Sequence, residues 1–306
     1  MRRRYSCPSL RHVRSRHADF SLLSLKGNTM TNPSTSHWVE VEHARLHVEE
    51  AGEGEPITML HGFLVDSGQW NNEFAALADS HHVIRYDARG FGRSTIEPGR
   101  YAHHEDLAAV LDACNVQRTA LLACSGGAAT ALDFSLAHPE RVSALIFVGA
   151  GYWGRFANST PAARAFGQAL ASFDVNGLID SSLRAFTDGP RRAQSDVDVA
   201  VRNHVEAMTT HLFKRNISYW TFATRDQRTP KPAALDRLHE VDAPTVLIVG
   251  REDQIEVHHL AKELRDGMPR ARMIVAQGAG HHANLEAPAQ VLGIVRDALS
   301  EAALRD

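Results

Sequence analysis

Residues 121–130, LLACSGGAAT, place Ser125 between a short apolar run and a run of small residues. Ala123 stands two positions before the serine, and Gly127 stands two positions after it. Small residues at both positions indicate a backbone that bends so sharply that larger side chains would collide. The stretch therefore predicts a buried strand that turns abruptly into a helix, with Ser125 at the junction.

Strands and helices alternate along the chain on both sides of this stretch. Alternating apolar and polar residues predict an antiparallel hairpin over 37–50, and short apolar runs predict strands at 57–60, 82–88, 119–124, 142–149, 244–250 and 271–277. Helical patterns separate most of these strands. This order predicts an α/β fold with a mostly parallel, eight-stranded sheet and helices on both faces.

The alternation stops in one long segment. Residues 151–240 contain no convincing buried strand, only helical patches with many aromatic residues. We therefore predict a core domain over 37–150 and 241–306, with 151–240 inserted as a helical cap. We expect the cap to set the substrate, with Trp153, Phe156 and Trp220 as candidate binding residues.

Composition limits the class of protein. The 306 residues are 43% hydrophobic and 23% charged, which is typical of a globular domain, and the formal net charge of −3 argues against nucleic acid as a partner. No apolar run approaches the ~18 residues of a membrane span. Three scattered cysteines indicate a reducing, cytoplasmic setting.

Residues 1–36 carry seven Arg or Lys against one Asp, so we expect a disordered or non-native extension, with Met30 as the native start.

Three residues with complementary chemistry each follow a predicted strand. They are Ser125, Asp253 and His281, which supply an alcohol, a carboxylate and an imidazole in that chain order. Ligands of open α/β sheets bind at the carboxyl ends of the strands, where these residues should meet. A free hydroxyl is a weak nucleophile at neutral pH, and an adjacent imidazole would activate it.

The chain resembles the α/β-hydrolase superfamily, with capped esterases, lactonases and carbon–carbon hydrolases as the nearest shapes. The resemblance covers roughly 37–303 and rests on five motifs in the family's order: HGF (61–63), YDARGFGRS (86–94), ACSGG (123–127), GREDQI (250–255) and GAGHHANLEAP (278–288). Each motif alone is weak, but five in register are specific. The resemblance implies the α/β-hydrolase fold with Ser125 at a strained nucleophile elbow.

The resemblance also implies roles for the neighbours of each motif. Centring the elbow on Cys124 would put Leu122 where a small residue is needed, which favours Ser125 as the nucleophile. The family places the base directly after Gly280, which selects His281 over His282.

The remaining roles concern the acid and the oxyanion hole. Asp253 fits the orienting carboxylate, whereas Glu252 lies one position early. The backbone amides of Phe63 and Gly126 are the expected donors to the oxyanion.

Two other patterns are decoys. GAGYWG at 149–154 has the glycine spacing of a dinucleotide-binding turn, but Tyr152 and Trp153 occupy the turn and Pro161 interrupts the following helix. Adjacent histidines at 81–82, 103–104, 258–259 and 281–282 have no metal-ligand spacing. We therefore expect neither a cofactor nor a metal.

The sequence predicts a cofactor-independent serine hydrolase that cleaves a small-molecule carboxylic ester or lactone through an acyl-enzyme. Carbon–carbon hydrolysis of ring-fission (vinylogous diketone) acids stays open, although such family members usually carry Trp after the base, where this chain has His282. A non-catalytic ligand-binding protein on the same fold and a peptidase also stay open. Dehalogenases and epoxide hydrolases of this fold use an Asp nucleophile, which Ser125 disfavours. The substrate and the oligomeric state are not predicted.

Overall fold

A computed structural model describes residues 33–155 and 158–304, and within that range the side chains of 216–225 are left undescribed. Eight strands form one sheet in the order β1-β2-β4-β3-β5-β6-β7-β8. Their bounds are β1 Thr35–Val41, β2 Ala44–Ala51, β3 Pro56–Leu60, β4 His82–Tyr86, β5 Thr119–Cys124, β6 Val142–Val148, β7 Thr245–Gly250 and β8 Ala271–Ala276. Strand β2 pairs antiparallel with β1 and β4, and all other pairs are parallel. The prediction of a mostly parallel, eight-stranded sheet is confirmed.

The hairpin begins slightly earlier than the sequence predicted. Strand β1 starts at Thr35, which pairs with Glu50, so 35 and 36 belong to the sheet rather than to the extension assigned to 1–36. The reason is the alternation of side chains, which places Val39 on the buried face in register with Leu46. Residues 1–32 lie outside the described part of the chain.

Helices cover both faces of the sheet. Their bounds are α1 Asn71–Leu77, α2 His103–Ala113, α3 Gly126–Ala137, α4 Pro161–Ser172, α5 Val175–Ser182, α6 Val199–Asp226, α7 Ile255–Gly267, α8 Ala283–Glu286 and α9 Pro288–Ala303. Successive residues of β5 point to opposite faces, because the side chains of a strand alternate. Leu121 and Ala123 pack in the cluster that holds α2, α3 and α7, whereas Leu122 and Cys124 pack with α1 and α9. Burial on both faces explains why this strand is apolar throughout.

The segment between β6 and β7 is helical in the part that the structure describes. It contains α4, α5, a π-helical turn at Leu183–Asp188, a 3-10 turn at Gln194–Asp196, the long α6, and 3-10 turns at Ala234–Glu240. Thr160 caps α4 by accepting from the Ala163 amide, and Pro161 occupies the first helical position. The boundaries of the cap at 151–240 remain our prediction. Among the described helices, none combines the length and the apolar character that crossing a bilayer requires.

Candidate active site

Ser125 lies at the turn between β5 and α3, in a strained backbone conformation. Its φ is 48° and its ψ is −118°, a region that residues other than glycine rarely adopt. Such strain costs about 1–3 kcal/mol and persists only where the surroundings enforce it. Here the Ser125 amide donates to the Val148 carbonyl at 3.2 Å, and the Gly151 amide donates to the Ser125 carbonyl at 3.0 Å.

The small residues around Ser125 reflect close approaches of the backbone. A Cβ on Gly127 would lie 2.5 Å from the Leu60 carbonyl oxygen, and a Cβ on Gly126 would lie 2.8 Å from the ring of Phe63. Neither distance is tolerable for real atoms. The glycines therefore let α3 begin directly against the end of β3 and the loop that follows it.

Asp253 and His281 are brought together at the same edge of the sheet. His281 Nδ1 lies 2.9 Å from Asp253 Oδ2 and 3.1 Å from Oδ1, and both side chains are buried. Because a carboxylate only accepts hydrogen bonds, Nδ1 carries the hydrogen, and Nε2 is the acceptor of the neutral ring. Burial lowers the pKa of His281, but the charge and hydrogen bond of Asp253 outweigh it, so the pKa is raised. The carboxylate is itself held by the Gln254 amide at 2.7 Å.

The residues that competed for these positions have other surroundings. Glu252 turns to Arg191, whose Nε lies 3.1 Å from Oε2. Burial, followed by the charges of His281 and His204, lowers the pKa of His282 to about 3. Burial raises the pKa of the Cys124 thiol to about 12, so the thiol stays protonated.

The loop after β3 is fixed by its first residues. His61 Nε2 accepts from the Ala88 amide at 2.9 Å, so its Nδ1–H donates to the Gly62 carbonyl at 2.7 Å. The Gly62 amide donates to Oε1 of the buried Gln69 at 2.9 Å. Because the Gly62 amide already donates to Gln69, the amide of Phe63 is the following backbone donor along this loop, in agreement with its choice as a candidate oxyanion donor. Gly126 is the first residue of α3, where backbone amides have no acceptor within the helix.

A cavity of about 490 Å³ opens above these residues. Ser125, His281, Phe63 and Gly126 line its floor, and most of its wall is apolar. Of the predicted cap aromatics, Trp153 lines it, whereas Phe156 and the Trp220 side chain lie outside the described residues. Its other wall residues include Phe166, Phe186, Val205, Thr209 and Leu260, none of which was predicted as a binding residue.

A family described as the alpha/beta hydrolase fold matches residues 55–288, which is most of the chain. The chain belongs to this family. The fold expected from the motifs is therefore confirmed, and with it the general class of hydrolase.

Proteins similar to this chain are named for different substrates. The hydrolase is 27% identical over 282 residues to the 2-hydroxy-6-oxononadienedioate/2-hydroxy-6-oxononatrienedioate hydrolase of Paraburkholderia xenovorans (strain LB400), covering 85% of this chain and 93% of that one. Its structure resembles Est816, described as an N-acyl homoserine lactone degrading enzyme, with a TM-score of 0.67 and 27% identity over 85% of this chain and 99% of that one. The enol-lactonase from Burkholderia xenovorans LB400 shares the fold, with a TM-score of 0.69 and 19% identity over 86% and 100% of the two chains.

The charged residues in the wall of the hydrolase's cavity are engaged with protein groups. Arg155 lies 3.3 Å from Glu263, and Arg164 donates to the carbonyls of Asn158 and Ser159. Glu256 accepts from the backbone amides of Asn158 and Ser159. These contacts use part of the hydrogen-bonding capacity of the charged groups, and the wall as a whole stays mainly apolar.

The helical segment between β6 and β7 is linked to the loop that carries His281 by a contact that the sequence does not predict. Arg192 Nη1 lies 2.6 Å from Glu286 Oε2, and Glu286 Oε1 accepts from the Gly280 amide at 3.0 Å. Gly280 directly precedes His281. No sequence signal links the cap to α8, because 94 residues separate the arginine from the carboxylate.

Proposed function

We propose that the hydrolase cleaves small-molecule carboxylic esters or lactones through an acyl-enzyme on Ser125. The observation that carries the proposal is the strained Ser125, which faces the same apolar cavity as His281, itself bound to the buried Asp253. A serine alone would be inert, and an imidazole held by a carboxylate supplies the base that it needs.

In the first half of the reaction, Ser125 Oγ attacks the carbonyl carbon of the substrate and passes its proton to His281 Nε2. The amides of Phe63 and Gly126 stabilise the negative charge that develops on the carbonyl oxygen. Asp253 stabilises the imidazolium that forms. When the tetrahedral intermediate collapses, His281 returns the proton to the leaving alcohol.

In the second half, water takes the place of the alcohol. His281 Nε2 accepts a proton from this water as its oxygen attacks the acyl carbon of the ester on Ser125. Collapse of the second intermediate gives the proton back to Ser125 Oγ and releases the carboxylic acid. A lactone follows the same steps, with its alcohol retained on the product.

The cavity favours an uncharged, apolar acyl group. Its volume of about 490 Å³ lies within the range of small-molecule sites. His282 lines the cavity and, with its pKa lowered to about 3 by burial, is neutral at pH 7. The arginines of the wall, Arg155 and Arg164, are held by protein acceptors. The mainly apolar wall is the observation that favours an uncharged acyl group.

Carbon–carbon hydrolysis is the second candidate, supported by the Paraburkholderia xenovorans relative that covers 85% of this chain. The substrate named for that relative is a dicarboxylate, and Arg164 in the cavity wall, whose Nη1 donates to neutral carbonyls, keeps a positive charge that a carboxylate could meet. The same serine, histidine and aspartate would serve this reaction.

A substrate panel tests the two candidates against each other. We would measure kcat/KM for p-nitrophenyl esters of increasing chain length, for acyl lactones, and for ring-fission acids, with Ser125→Ala as the control. Apolar esters or lactones should be the best substrates, and Ser125→Ala should abolish their turnover. A ring-fission acid that exceeds every ester in kcat/KM would establish the carbon–carbon reaction instead. Turnover that survives in Ser125→Ala would refute both.

A further inference from the structure

A group of side chains with metal-ligand chemistry lies on the hairpin side of the sheet, away from Ser125. We call His37, Glu50 and Cys114 the hairpin cluster. One donor atom from each of the three lies within 4.8 Å of the donor atoms of the other two. His37 comes from β1, Glu50 from β2, and Cys114 follows the last residue of α2.

The register of the strands brings these side chains to one face. Glu50 shares the alternation of Leu46 and Val48, and His37 shares that of Val39, all of which pack beneath α2. His82, the first residue of β4, shares the alternation of Ile84 and Tyr86 on that face. Cys114 is buried in the same cluster of side chains. The arrangement therefore follows from the fold and not from a flexible surface loop.

Glu50 lies beside both other members of the hairpin cluster, and the Cys114 thiol hydrogen-bonds to it. His37 Nδ1 lies 3.4 Å from Glu50 Oε1, which is longer than an ordinary hydrogen bond. In the described part of the chain, His37 Nε2 is buried and has no hydrogen-bond partner. The other carboxylate oxygen, Glu50 Oε2, contacts His82 Nε2 at 2.8 Å. One oxygen of Glu50 is thus oriented by His82 while the other faces His37.

We propose that the hairpin cluster binds Zn²⁺ through Cys114, His37 and one oxygen of Glu50, with His82 orienting that carboxylate from outside. Thiolate, imidazole and carboxylate are the three ligand types that zinc accepts, and a solvent molecule would complete four-coordination. Donor atoms around a tetrahedral zinc lie about 3.5 Å apart, so donor atoms of the cluster that are as much as 4.8 Å apart would move together by up to about 1.3 Å on binding. The thiol proton of Cys114 leaves to solvent when the sulfur binds the metal.

This site differs from the sequence expectation of no metal. Its ligands come from three separate elements: His37 and Glu50 are 13 residues apart, and Glu50 and Cys114 are 64 residues apart. No local sequence motif therefore predicts the site. Its place in the sheet makes it structural rather than catalytic: His82 opens β4, whereas Ser125 follows the end of β5, and these are opposite ends of parallel strands. A bound metal would link the β1–β2 hairpin to the C-terminal end of α2.

Cobalt and zinc titrations of the full chain test the proposal. We expect one Co²⁺ per chain, with the near-ultraviolet charge-transfer absorption of a cobalt–thiolate bond, and a rise in Tm with Zn²⁺ by mass action. Cys114→Ala should abolish the absorption, whereas Cys7→Ala should keep it. His82→Gln should weaken binding by about 10–100-fold, as expected for a residue that orients a ligand. Glu50→Gln, which keeps the side-chain shape, should weaken binding at least as much.

The outcomes separate cleanly. Absence of the cobalt–thiolate absorption, or its persistence in Cys114→Ala, would overturn the proposal. Binding that is unchanged in both Glu50→Gln and His82→Gln would also overturn it. Circular dichroism of each variant without metal shows whether it is folded. These readouts require no substrate, so they stand apart from the success or failure of the proposed ester hydrolysis.

Discussion

Removing one partner of the ion pair between Arg192 and Glu286 should destabilise the fold strongly, because both side chains are buried. Arg192 Nη1 and Glu286 Oε2 are 2.6 Å apart, and the side chains are 11% and 5% exposed. Arg192→Leu would leave the carboxylate buried without its cation. Removing one partner of a buried pair costs about 3–5 kcal/mol. At about 2–3 °C per kcal/mol, Tm should fall by about 6–15 °C.

The chain offers a matched control one residue away. Arg191 also pairs with a carboxylate, Glu252, at 3.1 Å, but its side chain is 52% exposed. Exposed pairs contribute about 0–1 kcal/mol, so Arg191→Leu should lower Tm by no more than about 3 °C. Urea unfolding and calorimetry of the two variants at pH 8 provide the comparison.

The pH dependence gives a second test of the same contact. Burial raises the pKa of Glu286, and Arg192 opposes that rise. Without the arginine the pKa of the folded state should rise further, so the folded state would hold a proton that the unfolded chain has lost. Stability is then lost as pH rises. The deficit of Arg192→Leu should therefore be smaller at pH 5 than at pH 8. A deficit that matches Arg191→Leu, or that grows toward pH 5, would refute the reasoning.

Three further predictions concern the candidate active site. Asp253→Asn should lower turnover by about 10⁴ with the fold intact by circular dichroism, whereas Glu252→Gln should cost far less; the reverse order would make Glu252 the acid. A fluorophosphonate probe followed by peptide mass spectrometry should label Ser125, and labelling of Cys124 would contradict the assignment. Because Asp253 outweighs burial and raises the pKa of His281, kcat/KM should fall with decreasing pH through a pKa above 6.5. In Asp253→Asn that limb should move to lower pH, and an unmoved limb would mean that another group titrates.

The parts of the fold that the sequence predicts are those set by local pattern. The alternation in β1 and β2 and the apolar run of β5 follow from which faces are buried. Ala123 and Gly127 predict the turn at Ser125 because the steric requirement falls on residues two positions away. The candidate triad was predictable for the same reason, since each member directly follows a strand whose end lies at one edge of the sheet.

The features that could not be predicted depend on tertiary placement. Gln69 accepts the hydrogen bond of the Gly62 amide from a single 3-10 turn, Ser67–Trp70, which is too short to leave a periodic signal. The sequence predicts that residues 151–240 are helical and rich in aromatic residues, but it does not predict which of these residues line the cavity. Helical patterns alone do not specify which face of a helix turns inward. Phe166 of α4 and Phe186 of the π-helical turn line the cavity because these two elements pack together, with the two rings in contact.

The π-helical turn at Leu183–Asp188 contacts His281 and the neighbour of Asp253, the two residues that we propose as base and acid. The side-chain amide of Gln254, the neighbour of Asp253, donates to the Ala185 carbonyl in this turn. Phe186 packs on the ring of His281, with ring centroids 5.3 Å apart. Arg192 also contacts Glu286, which accepts a hydrogen bond from the Gly280 amide next to His281. The segment between β6 and β7 therefore contacts the surroundings of both Asp253 and His281. Substitutions in the turn should therefore alter kcat as well as KM, whereas substitutions in a wall that touched only the substrate would alter substrate preference alone.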